Sequence, residues 1–326
     1  LAPPEPIFVL SLPRSGSTLV QRVLSSYPEV ATSAEPWLLL PFLGPLEERI
    51  PVRTGWQHSV DEAVGAFIAE LPRGEDDYLE ALKPFVEQLY ARAAGPDRRY
   101  FLDKTPPYHW VAKPIFRLFP QARFVFLWRN PLSVVASVIE TFCDGRWRPD
   151  DYRGTLFEGP RNLVAAYEAN AERALAIRFE DLVGPETGAW RRLAGHLDLE
   201  FSPASLSAFT GVRFEGGHGD PVGVHRYTRL SSEPVEKWRR TLSSPVRKAW
   251  CRRYLRWLGE EALATMGYDL GELLRDLEGL PVRRGRLGSD LGQIGKGLAR
   301  EAVGGAFFGD RGPNTWSLLG RSGGER

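Results

Sequence analysis

At 326 residues, with 43% hydrophobic and 25% charged side chains, the chain can bury one large core or two small ones and has a globular composition. Its net charge of +1 gives no sign of a nucleic-acid-coating surface, and no nucleic-acid partner is expected. Two cysteines, Cys143 and Cys251, are too few for a disulfide framework or a cysteine-built metal site, and the longest apolar run, 37–46, is too short to span a bilayer and is cut by Pro41 and Pro45.

The expected location is the cytoplasm, although the chain opens on Leu1 and a cleaved leader would leave no mark in it. Six lysines stand against 36 arginines, so each lysine is conspicuous. The first predicted element is a strand over Ile7-Phe8-Val9-Leu10, followed by Pro13-Arg14-Ser15-Gly16-Ser17-Thr18 and a helical pattern over 18–24. A loop entering a helix aims free N–H groups at one point, where the helix dipole favours an anion. Gly16 permits close backbone approach, Ser15, Ser17 and Thr18 add hydroxyls, and Arg14 adds a fixed positive fork. An NTPase P-loop would need a lysine at Ser17 and a glycine at Ser11, and has neither. An ordinary polar turn between strand and helix fits the loop alone.

Glu35 follows in Ser33-Ala34-Glu35-Pro36-Trp37, flanked by apolar residues as a general base can be, or exposed on a loop. Helical patterns cover 59–70 and 76–93. A strand at 100–102 runs into Asp103-Lys104-Thr105-Pro106-Pro107, where two prolines stop it and leave Lys104 at the sheet edge. There a lysine can neutralise charge developing on a transferred group, or simply be solvated. The strand 123–128 leads to Arg129-Asn130-Pro131 and a helix over 131–141 carrying Ser133 and Ser137. That is a second anion site, or a salt bridge and a packing serine. A helix over 155–174 precedes a strand at 175–179, then Glu180 and Asp181, read as caps, with Phe179 read as core. Helices are expected at 186–197 and 245–266, an irregular stretch at 201–242, and from Leu280 a Gly- and Arg-rich tail extended over the surface. Strands alternating with helices predict an α/β fold, a doubly wound parallel sheet flanked by helices, with ligands at the carboxyl ends of the strands.

Together these segments resemble the sulfotransferases that use 3′-phosphoadenosine-5′-phosphosulfate (PAPS), with motifs at five places across roughly residues 6–240. The run P-R-S-G-S-T at 13–18 looks like the family's 5′-phosphosulfate loop, in a P-loop-like sheet. R-N-P-L-S-V-V-A-S, with Arg129 and Ser137 eight residues apart, looks like its 3′-phosphate site. R-F-E-D-L-V at 178–183 is similar to the family's R-Y-E-D-L segment, which implies Phe179 near adenine. Glu236-Lys237-Trp238, preceded by Arg229, Ser231 and Ser232, resembles the segment that closes over the 3′-phosphate. The animal cytosolic branch has lysine where Arg14 stands and a histidine base where Pro106 stands. The chain looks closer to the branch of protein-tyrosine sulfotransferases and many bacterial enzymes, in which a glutamate base follows the loop arginine by 21 residues. Arg14 and Glu35 have that spacing, and His109 is the second candidate base.

The resemblance implies a sulfotransferase domain over 1–275 and a tail over 276–326. It implies PAPS as co-substrate, PAP as product and no metal, with Arg14, Glu35 and Lys104 catalytic. The partner is a hydroxyl-bearing acceptor: a carbohydrate, a peptide tyrosine or a small natural product. Segments 37–95 and 142–160 are expected to line its pocket, with Trp147 and Tyr152 either stacking on a ring or serving as simple packing. The rival readings are a P-loop kinase and a non-catalytic PAP-binding protein on the same fold.

Overall fold

The structure, a computed structural model, describes residues 3–47, 55–212, 230–293 and 295. Five strands form one sheet: β1 (Glu5–Ser11), β2 (Val30–Thr32), β3 (Tyr100–Asp103), β4 (Arg123–Trp128) and β5 (Ala174–Arg178). Every pair is parallel and the order is β2-β3-β1-β4-β5. The short edge strand β2, only three residues long, has too little pattern to be read from sequence. Around the sheet run α1 (Ser17–Leu24), α2 (Leu40–Leu43), α3 (Gly55–Glu70), α4 (Glu75–Ala94), α5 (Ala112–Leu118), α6 (Pro131–Phe142) and α7 (Gly159–Glu168). Next come α8 (Phe179–Val183), α9 (Gly188–His196), α10 (Ser205–Ala208), α11 (Glu233–Thr241), α12 (Pro245–Leu258), α13 (Glu260–Thr265) and α14 (Leu270–Glu278).

Alternation along the strands builds two cores. Phe8, Leu10, Phe124, Phe126 and Trp128 face one side with residues of α4 to α7 and α12. Ile7, Val9, Tyr100, Leu102, Val125 and Leu127 face the other with Val20, Val23, Trp190 and Leu193 of α1 and α9. A parallel sheet covered on both faces needs apolar residues at every position, which is why the strands read as continuous runs rather than alternating ones. The chain leaves β1 toward one face, into α1, and leaves the neighbouring β4 toward the other, into α6. The loops after β1 and β4 therefore part company at a topological switch point, where such sheets open a crevice.

The expected helices appear with two differences. The helix expected over 155–174 is a π-turn, Gly154–Glu158, running into α7, and the one over 245–266 breaks at Gly259, whose φ is 82°. The stretch 201–242 contains α10 and α11, with 213–229 outside the described residues. The expected surface tail is anchored in its first part. Residues 287–293 are helical, and the fully buried Asp290 pairs with the equally buried Arg247 of α12 at 2.8 Å. Beyond residue 293 only residue 295 is among the described residues.

Candidate active site

The loop after β1 is shaped by two left-handed residues, Arg14 (φ 69°) and Gly16 (φ 92°). At position 16 a Cβ would stand 2.3 Å from Phe179 Cδ2, so only glycine fits. The N–H of Ser15 turns back to Leu12 O at 3.2 Å, and those of Leu19 and Val20 to Gly16 O. The amides of Gly16, Ser17 and Thr18 have no acceptor among the described residues. Three such donors at a helix start, with the Ser15 and Ser17 side chains buried among them, suit an oxyanion.

The second predicted anion site adjoins this loop. Arg14 Nε donates to Ser137 Oγ at 3.2 Å, and Arg129 Nη1 donates to Arg14 O at 2.7 Å. Arg129 Nη2 donates to Pro234 O at 2.8 Å, and Ser133 Oγ to Val235 O at 3.4 Å, which docks the start of α11 on the same spot. A guanidinium has five N–H donors, so it can hold two carbonyls and still face an anion. Ser231 Oγ accepts from Glu233 N at 3.2 Å, and Ser232 sits at the N-cap of α11. Lys237 pairs with Glu233 at 3.0 Å on the exposed side of that helix. Arg229 lies outside the described residues. Phe179, 4% exposed, lies against Gly16 with the Arg129 guanidinium 4.7 Å above its ring. It begins α8 rather than ending β5, and it forms the floor of the loop.

Glu35 and Lys104, 69 residues apart in sequence, meet at the carboxyl end of β3, beside β1. Lys104 Nζ donates to Glu35 Oε1 at 2.6 Å, with the lysine side chain 1% and the glutamate 12% exposed. Trp37 Nε1 donates to Glu35 Oε2 at 3.2 Å. Two supports went unread in the sequence. Gln21, fully buried on α1, points Nε2 at Thr32 Oγ1, Ser33 O and Ala34 O at 2.8, 2.6 and 3.0 Å. Asp103, also fully buried, accepts from the hydroxyls of Tyr90, Tyr108 and Thr105 at 2.7, 2.9 and 2.9 Å. Burial pushes its carboxyl up to about 6 against the opposing effect of those hydrogen bonds. A carboxylate closing an apolar strand was the available signal for Asp103; a polar residue on the inward face of α1 was the signal for Gln21.

His109 belongs to a 3₁₀ turn, Pro106–Trp110, and is buried against Trp110. Burial pushes its imidazole down to about 3, which leaves it neutral and a poor proton acceptor near pH 7. Trp147, expected to line an acceptor pocket, is 2% exposed and packs edge-on against Trp250, so it is core. Tyr152 is half-buried and stacks on Phe142, which lies under Arg14. Among the described residues no group of three or more His, Cys, Asp or Glu side chains is placed to hold a metal ion, and no helix is long and apolar enough to cross a membrane.

A parallel α/β sheet with an amide-lined loop at its switch point, two arginines beside it and a part-buried lysine–glutamate pair at the next strand makes a site suited to an anionic group. The chain belongs to the sulfotransferase family, whose model matches residues 6–203. It is 30% identical over 290 residues to the nodulation protein NoeE of Sinorhizobium fredii, in a match that takes in 80% of this chain and 65% of that protein. It is 26% identical to protein-tyrosine sulfotransferase 2 of Gallus gallus, over 87% of this chain and 69% of that one. The chain thus spans about two thirds of the length of these relatives. In fold it is similar to the sulfotransferase domain from the curacin biosynthetic pathway, with a TM-score of 0.51 at 23% identity over 72% of this chain and 90% of that domain.

Proposed function

We propose that the protein transfers a sulfuryl group from PAPS to an acceptor hydroxyl, with Glu35 as general base. The observation that carries this is the part-buried Lys104–Glu35 pair at 2.6 Å, set at the strand next to the loop whose three amides have no acceptor among the described residues. Transfer of this kind needs positioning and charge stabilisation more than covalent chemistry, as in phosphoryl transfer. The amides of 16–18 suit the 5′ end of PAPS, which supplies the sulfuryl group. Arg129 and Ser137, with Ser231 and Ser232 nearby, suit the 3′-phosphate; Arg229 and Lys237 remain candidates for it. Phe179 supports the adenine end from beneath the loop, beside Arg129.

In the pair, the Lys104 charge is balanced by the Glu35 carboxylate. When Glu35 accepts the acceptor's hydroxyl proton, that balance is lost and Lys104 is left to face negative charge developing nearby. Arg14, tethered to Ser137, supplies a second cation at the loop. The buried neutral imidazole of His109 favours Glu35 over it as base. Acceptors from the family, a carbohydrate, a peptide tyrosine or a small natural product, remain the candidate substrates.

Glu35→Gln tests the reading. Turnover with ³⁵S-labelled PAPS and the best acceptor from a panel of tyrosyl peptides and glycosides is expected to fall by about two orders of magnitude or more. PAP affinity is expected to stay within about twofold, because Glu35 does not belong to the phosphate-binding loops. Unchanged turnover would remove Glu35 as the base. A thermal shift with ATP but not with PAP would overturn the choice of nucleotide.

A further inference from the structure

We infer that Asp103 is a positioning residue for Glu35, acting through the hydroxyls of Tyr108 and Thr105; this rests on Glu35 being the base proposed above. An ionised carboxylate only accepts hydrogen bonds. Tyr108 Oη therefore spends its one proton on Asp103 Oδ2 at 2.9 Å, and its lone pairs are left to accept the N–H of Leu39 at 3.1 Å. Thr105 Oγ1 likewise gives its proton to Asp103 Oδ1 at 2.9 Å and accepts the N–H of Trp37 at 3.4 Å. The carboxylate thus sets the direction of both hydroxyls, and both hydroxyls grip the backbone just after Glu35. Gln21 grips the backbone just before it, at the carbonyls of Ser33 and Ala34.

Lys104 follows Asp103 directly, yet its ammonium bonds to Glu35. One strand end therefore supplies both the partner of the Glu35 side chain and the hub that fixes the Glu35 loop. A fully buried carboxylate is costly to keep, and three hydroxyl donors offset part of that cost, with no cation bonded to it among the described residues. An apolar residue would fill the same space but could not orient the two hydroxyls.

The test is a double-mutant cycle with Tyr108→Phe, which keeps the ring and removes one spoke of the hub. In the wild-type background it is expected to lower kcat about tenfold or more, with the KM for PAPS and the PAP affinity within about twofold. In the Glu35→Gln background it is expected to lower kcat hardly at all, because there is no base left to misplace. Asp103→Asn is expected to follow the same pattern, since its NH₂ group would force one hydroxyl to accept rather than donate. An equal loss in both backgrounds would mean a general structural defect and would overturn the inference alone. No loss from Tyr108→Phe beside a large loss from Glu35→Gln would do the same. If Glu35→Gln itself leaves kcat unchanged, the assignment of the base falls and this inference with it.

Discussion

A side chain at position 16 has nowhere to go. Its Cβ would lie 2.3 and 2.4 Å from two atoms of the Phe179 ring, on a backbone whose φ of 92° already disfavours it. Gly16→Ala is expected to destabilise the fold by about 1–3 kcal/mol and to displace the loop from Phe179, with PAP affinity falling more than tenfold. Urea unfolding and PAP titration measure the two effects separately. That a glycine stands here was legible in P-R-S-G-S-T; that Phe179 is what excludes a Cβ was not, because the two residues are far apart in sequence. The same holds for Glu35. Its spacing from Arg14 suggested a base through resemblance, while its partner Lys104 was placed only at a strand end. The 2.6 Å contact between them needed the β2–β3 neighbourhood, which strand pairing decides.

Among elements, α11 was invisible and is nonetheless central. It lies in a stretch with little apolar periodicity, since it buries only Trp238 and Thr241. Its place comes from polar contacts: its first turn offers the carbonyls of Pro234 and Val235 to Arg129 and Ser133. Local pattern cannot announce a helix that docks by backbone carbonyls. The segment after α14 is a second case. Gly and Arg content suggested a loose tail, yet Asp290 reaches the buried Arg247, which also donates to Thr241 O at 3.0 Å and Gly145 O at 2.9 Å. Asp290→Ala leaves that guanidinium buried without its carboxylate and is expected to cost about 3–5 kcal/mol. Replacing both, as in Arg247→Met with Asp290→Leu, is expected to recover most of the loss in a denaturant titration. A single variant no less stable than wild type would show that the segment does not anchor α12.

For the whole molecule, two buried groups pull stability in opposite directions with pH. His109 is pushed down to about 3 from 6.5, so the unfolded chain binds a proton that the folded one refuses. Its contribution is present above pH 6.5 and is lost as pH falls toward 3. Asp103 is raised from 3.8 to about 6, so the folded chain binds a proton that the unfolded one releases. Its contribution is present below pH 3.8 and is lost as pH rises through 6. Between about pH 6 and 4 the two proton counts offset each other. His109→Asn removes one side, and its stability relative to wild type is expected to rise by ~1.4 kcal/mol for each unit of acidification in that window. Urea unfolding at pH 6, 5 and 4 reads this directly, and a constant difference would refute it. His109 is covered by α7 and the π-turn before it, whereas Asp103 closes β3 and is enclosed by Tyr90 and Tyr108, so neither burial comes from local composition.

By itself the sequence determined the class of fold, since continuous apolar runs alternating with helical periods leave a covered parallel sheet as the solution. It also pointed to an anion-binding loop after the first strand, because a short polar loop before a helix presents its amides wherever the rest of the chain goes. Only the tertiary structure decided which strand ends are neighbours, that Glu35 meets Lys104, that Asp103 and Gln21 hold that loop, and that Trp147 is core. Hydrogen bonds and close contacts between residues distant along the chain depend on strand order and burial, and neither is written in any local window.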